Sequence, residues 1–184
     1  MDDSTAIQKC RAGETDAFNY LVRKYQSEAI GHAVAIIGNH EHALDAVQDA
    51  FLDAYLALER FDVSRRFYPW LYAILRNRCF KVLASRQKQA ATSLGNVEIL
   101  AQPTKDSSGT EVTVVDRALR ELSPQDRELL TLKHLDGLSY DELAERLEIP
   151  VGTVTSRLYY ARKRFREKLV RIKEKLGSAE IDNE

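Results

Sequence analysis

The chain has 184 residues, 44% hydrophobic and 30% charged, with a formal net charge of −1. Its 8 Gly and 4 Pro favour helices over a turn-rich β fold, and its two cysteines, Cys10 and Cys79, have neither disulfide-scaffold nor metal-site spacing. No purely apolar run is longer than AVAII at 33–37, too short to span a bilayer.

The start, MDDSTAIQKC, is acidic where a secretion signal is basic and then apolar. A reducing, cytoplasmic setting without direct membrane insertion is therefore expected. The near-neutral total conceals strong blocks. Residues 1–58 hold four Lys/Arg against nine Asp/Glu, and residues 59–90 hold eight against two. Residues 116–150 hold five against nine, and 151–176 hold nine against two. An acidic half followed by a basic one thus occurs twice, which suggests two separate contacts with a polyanion.

Residues 43–58 carry Leu44, Val47, Phe51, Tyr55 and Leu58 at helical spacing, the buried stripe of an amphipathic helix. The opposite face presents Asp45, Asp49 and Asp53 beside Leu52 and Leu56. A face that only meets water has no need of leucines, so these carboxylates around apolar side chains fit a docking surface for a basic partner helix. A metal site on the aspartate row lacks a facing helix with ligands. His40 and His42 lack a third ligand, so neither metal nor cofactor is expected. Residues 60–80, RFDVSRRFYPWLYAILRNRCF, interleave Arg60, Arg65, Arg66, Arg76 and Arg78 with Phe61, Phe67, Tyr68, Trp70 and Tyr72. Cations that track a backbone beside rings that stack on bases compose a platform for single-stranded nucleic acid. Trp70, Leu71 and Ile74, at helical spacing, read equally as core, whereas 61–68 reads as an exposed loop.

The stretch 89–113 is rich in Ser, Thr, Gly and Gln without helical period, and reads as a linker between domains at 8–88 and 114–176. Beyond it, Ser123 offers an N-cap with Pro124 at the first helical position. SYDE at 139–142 forms a capping box. A short helix to Leu147, a tight turn through EIPV and a second helix from Val151 make a helix-turn-helix. On that second helix, Val154, Leu158, Ala161, Phe165, Leu169 and Ile172 form the buried stripe. Ser156, Tyr159, Tyr160 and Lys163 face away from it, with Arg157, Arg162 and Arg164 on the flanks in reach of phosphates.

LSPQDRELLTLKHLDGLSYDELAERLEIPVGTVTSRLYYARKRFREKL resembles region 4 of bacterial sigma factors, and EHALDAVQDAFLDAYLALERF followed by FYPWLYAILRNRCFKVLASR resembles region 2. Two such domains on a short linker are similar to the extracytoplasmic-function (ECF) group, over roughly residues 8–172. The residues read as an all-α, two-domain chain and, with no Gly-rich phosphate loop, Ser-His-Asp pattern or His-Glu-x-x-His, no enzyme is expected; the resemblance implies an initiation subunit. It would bind core RNA polymerase, recognise duplex −35 and single-stranded −10 promoter DNA, and promote melting. It implies that DAVQDAF grips the polymerase clamp through Asp45, Gln48 and Asp49, extended by Leu52, Asp53 and Leu56. It also implies that the 61–68 loop pockets a flipped −10 base and that Asn77 contacts that element. The −10 set is then Arg60, Phe61, Arg65, Arg66, Phe67, Tyr68, Arg76, Asn77 and Lys81. The −35 set is Thr153, Thr155, Ser156, Arg157, Tyr159, Tyr160, Arg162, Lys163 and Arg164. Thr155 and Tyr160 depart from the family's more basic pattern and bear on which −35 sequence is read. An anti-sigma factor is implied by the family alone. The alternative is a helix-turn-helix regulator that binds duplex DNA without core polymerase, which leaves 60–80 without a purpose.

Overall fold

A computed structural model of the chain describes residues 1–93 and 113–181. These residues form helices and no strands, in two compact units, one within 1–93 and one within 113–181. Most of the expected linker, 94–112, lies outside the described residues. Its first residues differ from expectation: they continue a helix to Ser93, because Gln and Ala at 89–91 are good helix formers. None of the described helices is long and apolar enough to cross a membrane.

The first unit is built from α1 (Asp3–Arg11), α2 (Phe18–Ile37), α3 (His40–Ala57) and α4 (Phe67–Ser93), with a short 3₁₀ turn at Leu58–Arg60. Helix α2 packs on both α3 and α4, and α3 packs on α4. Alanines make α3 a close neighbour: Ala43, Ala46, Ala50 and Ala54 are buried together with Val47 and Phe51. Helix α3 starts at His40, earlier than the stripe suggests, because the Asn39 side chain accepts from the His42 amide at 2.9 Å. Gly38, at φ 76°, ends α2 in the left-handed conformation that costs glycine least.

The second unit comprises α5 (Val114–Arg120), α6 (Pro124–His134), α7 (Tyr140–Leu147) and α8 (Val151–Ile181). Three of its helices open on side-chain caps. Thr113 and Asp116 close a capping box on α5, and Ser123 accepts from the Asp126 amide on α6. Ser139 and Glu142 close a second box on α7, with bonds of 2.8 and 3.2 Å. Helices α5, α6 and α7 all pack against α8, whose Val154, Leu158 and Ala161 are fully buried. At about 25 cal/mol per Å² of apolar area, this shared seam holds the short helices that could not persist alone.

Candidate nucleic-acid and protein interfaces

On α3, the face opposite the alanines exposes Asp45, Gln48 and Asp49, with Leu52 57% and Leu56 71% accessible. The sequence groups Asp53 with them; the structure does not. Arg78 of α4 donates from Nε to Asp53 Oδ2 and from Nη2 to Oδ1, both at 2.5 Å. That bidentate guanidinium holds the Asp53 carboxyl below the usual carboxylate range, and the same pairing raises Arg78. Asp53 is therefore a tie between α3 and α4, and its half-buried carboxylate is not open to a partner helix. Asp49 lies 3.4 Å from Arg78 Nη1 yet remains largely exposed.

The basic-aromatic stretch sorts into two populations. Phe61, Phe67 and Tyr68 are buried, which corrects their assignment as rings for bases. Phe61 meets Trp70 at 4.8 Å between centroids and Phe67 at 5.8 Å. Tyr25 stacks on Tyr68 at 5.1 Å, and the Tyr68 hydroxyl lies 2.7 Å from His32 Nδ1. Helix α4 begins at Phe67, so the last two residues of the expected loop are the helix's first and turn inward. Burial of three large rings outweighs any local preference for exposure, since each aromatic buries 150–250 Å² in a typical core. Outside lie Arg60, Arg65 and Arg66 beside the turn, with Asp62, Val63 and Ser64, and Asn77 and Lys81 one helical turn apart on α4. Arg76 is half-buried, its guanidinium 4.9 Å from the Phe80 ring centre.

The loop that carries Arg65 and Arg66 is shaped from both ends. Asp62 accepts from the Ser64 amide at 2.9 Å and hydroxyl at 2.7 Å, bonds that lower the Asp62 carboxyl. Arg11 of α1 donates to the Leu58 carbonyl at 2.8 Å and to the Phe61 carbonyl, closing the free end of the 3₁₀ turn. Arg11 escapes a sequence reading because its acceptors are backbone atoms 47 and 50 residues away, with no side-chain signature.

In the second unit the helix-turn-helix forms with Glu148 in the left-handed region, φ 55° and ψ 43°, where its neighbour Ile149 donates to the Ala144 carbonyl. The start of α8 follows at once: Thr153 and Val154 donate to the Pro150 carbonyl. Thr155, Ser156, Arg157, Tyr159, Tyr160 and Lys163 are exposed, and Thr153 is half-buried. Two of the expected phosphate ligands point elsewhere. Arg164 donates from Nε and Nη2 to the two carboxylate oxygens of Asp126, each at 2.7 Å, and is raised by that bond. Arg162 donates to His134 Nε2 at 3.4 Å. The bidentate pair makes Arg164 part of the α6–α8 junction, which corrects its assignment as a free phosphate donor, whereas Arg162 gives only its Nε to His134; Arg157 and Lys163 make no ion pair among the described residues.

No group of three metal-ligating side chains occurs among the described residues. Cys10 and Cys79 are free and buried, and burial together with nearby Glu14 pushes the Cys10 thiol up.

Two segments of the chain match known family models. Residues 21–89 match the model of sigma-70 region 2, and residues 113–165 match sigma-70, region 4. The ECF RNA polymerase sigma-E factor of Haemophilus influenzae is 30% identical over 92% of this chain and 96% of its own length. That of Escherichia coli is 31% identical over 88% of this chain and 91% of its own. Among solved structures, the sigma factor RpoE of Bartonella quintana, in complex with the anti-sigma factor NepR, superposes with a TM-score of 0.66. It is 27% identical and covers 83% of this chain and 96% of that one.

Proposed function

The chain belongs to the ECF sigma factors of bacterial RNA polymerase, and from that premise we propose how its surfaces divide the work of promoter recognition. Core polymerase docks on the α3 face of Asp45, Gln48, Asp49, Leu52 and Leu56. The −10 element is met by Arg60, Arg65, Arg66, Arg76, Asn77 and Lys81. The −35 duplex is met by the start of α8, with Arg157 and Lys163 on phosphates and Thr153, Thr155, Ser156, Tyr159 and Tyr160 toward base edges. Residues 8–88 and 114–176 act as the two promoter-reading domains. The protein works in the cytoplasm and makes or breaks no bond itself.

The observation that carries this reading is the exposure of Leu52 and Leu56 among carboxylates, opposite a fully packed alanine stripe. Apolar side chains held in water on an acidic helix face favour a basic, partly apolar partner. A regulator acting without polymerase has no use for such a face. Asp49→Lys tests it by affinity for purified core polymerase. The variant should still fold, because what it loses within the chain is a 3.4 Å surface contact with Arg78, worth about 0–1 kcal/mol. Its affinity should fall by tenfold or more, since a like-charge contact at an interface costs several kcal/mol. Unchanged core affinity in a folded variant removes this face from the assignment. We extend the partnership seen in the Bartonella complex to this chain as well: an anti-sigma protein would hold it inactive in the absence of a signal.

A further inference from the structure

Building on the reading of α8 as the helix that enters the −35 major groove, we infer that Tyr159 and Tyr160 select thymine there, by apolar contact of their rings with its C5 methyl group. The rings are 64% and 54% exposed on a helix whose other side is fully buried at Val154, Leu158 and Ala161. They lie edge to face, centroids 5.3 Å apart and planes at 80°, so each limits the other's motion before DNA arrives. Two adjacent rings kept in water on this face have apolar area to bury, and only thymine among the four bases offers a methyl group in the major groove.

The neighbouring side chains leave other modes of direct reading poorly supplied. Adenine is read by a bidentate Asn or Gln, and residues 153–164 contain neither. Guanine is read by Arg or Lys; Arg164 is tied to Asp126, Arg162 spends its Nε on His134, and the exposed Arg157 and Lys163 are the two cations assigned above to phosphates. The Thr155 hydroxyl donates to the Val151 carbonyl at 3.1 Å and the Ser156 hydroxyl to the Thr153 carbonyl at 3.0 Å. Their protons are thus committed to backbone, and they offer a base edge only acceptor oxygens and the Thr155 methyl. Among the exposed residues of these turns, the paired rings are the largest apolar surface.

The test uses holoenzyme reconstituted from the full chain and core polymerase. A duplex library randomised across the upstream element is enriched by binding, and the selected duplex is resynthesised with deoxyuridine at each thymine in turn. Loss of a contacted methyl should weaken binding about fourfold, the worth of one buried methyl group. The Tyr159→Ala/Tyr160→Ala double variant should still bind but no longer distinguish thymine from deoxyuridine, whereas Phe at either position should keep the distinction. An enriched element without thymine, full tolerance of deoxyuridine, or a double variant that still discriminates would each overturn the tyrosine assignment alone. Failure to enrich any upstream sequence would instead overturn the −35 role of α8, and the inference with it.

Discussion

Replacing Arg164 by Gln removes the exposed half of an ion pair whose other half is buried. The Asp126 side chain is 11% accessible and that of Arg164 is 48%, and the pair makes two 2.7 Å bonds. Breaking a fully buried pair costs about 3–5 kcal/mol, while an exposed pair is worth about 0–1 kcal/mol. This one lies between. Asp126 keeps part of its support, because it sits in the first turn of α6, where the helix amides favour a carboxylate by about 0.3–1 kcal/mol. The expected loss is therefore about 1.5 kcal/mol. In a unit of this size, that lowers the melting midpoint by roughly 6–12 °C, measurable by calorimetry on the full chain. Binding of holoenzyme to −35 duplex, followed against salt below that midpoint, should keep its wild-type log–log slope. Arg157→Gln or Lys163→Gln should do the reverse, flattening the slope by about 0.9 without destabilising the fold. If Arg164→Gln instead left the midpoint unchanged and flattened the slope, Arg164 would be a phosphate ligand and the structural account of it would be wrong.

Asn77→Ala should spare core and −35 binding but reduce open complex on duplex promoters, with a template premelted across −10 recovering much of any opening defect; permanganate footprinting on both templates checks this, and wild-type reactivity on both would exclude Asn77. Asp53 has its carboxyl lowered by Arg78, so the pair's stability is complete above the unfolded aspartate pKa of about 4 and is lost as pH falls through the folded value. Asp53→Asn should therefore cost about 0.5–1 kcal/mol near neutrality, discounted for side chains about a third exposed, and the cost should vanish in acid unfolding series below that window. Glu148→Gly should raise the midpoint of the second unit by a few degrees, because relief of a left-handed non-glycine residue, about 1–2 kcal/mol, exceeds the added entropy of the unfolded chain, about 0.4–1 kcal/mol; a lower midpoint would show that Glu148 is not strained.

The features that the sequence alone made legible are those whose physics is complete within a few residues. Ser123 and Ser139 each cap an amide three positions ahead, and Val154, Leu158 and Ala161 share a helix face by spacing alone. The acidic and apolar side chains on the outside of α3 follow from the same arithmetic, once Ala43, Ala46 and Ala50 occupy the inside. Two units, each acidic and then basic, could be read from composition. What tertiary structure decided is which of the chemically suitable side chains are available. Asp53 meets Arg78 across 25 residues and Asp126 meets Arg164 across 38, so a cation or carboxylate that looks free along its own helix is neutralised by another. Phe61, Phe67 and Tyr68 sit among arginines in sequence but close over Tyr25, His32 and Trp70 in space, because three rings gain more from each other than from water. Charge and aromaticity belong to a residue by itself, whereas exposure depends on every element packed around it, and only the folded chain brings those elements together.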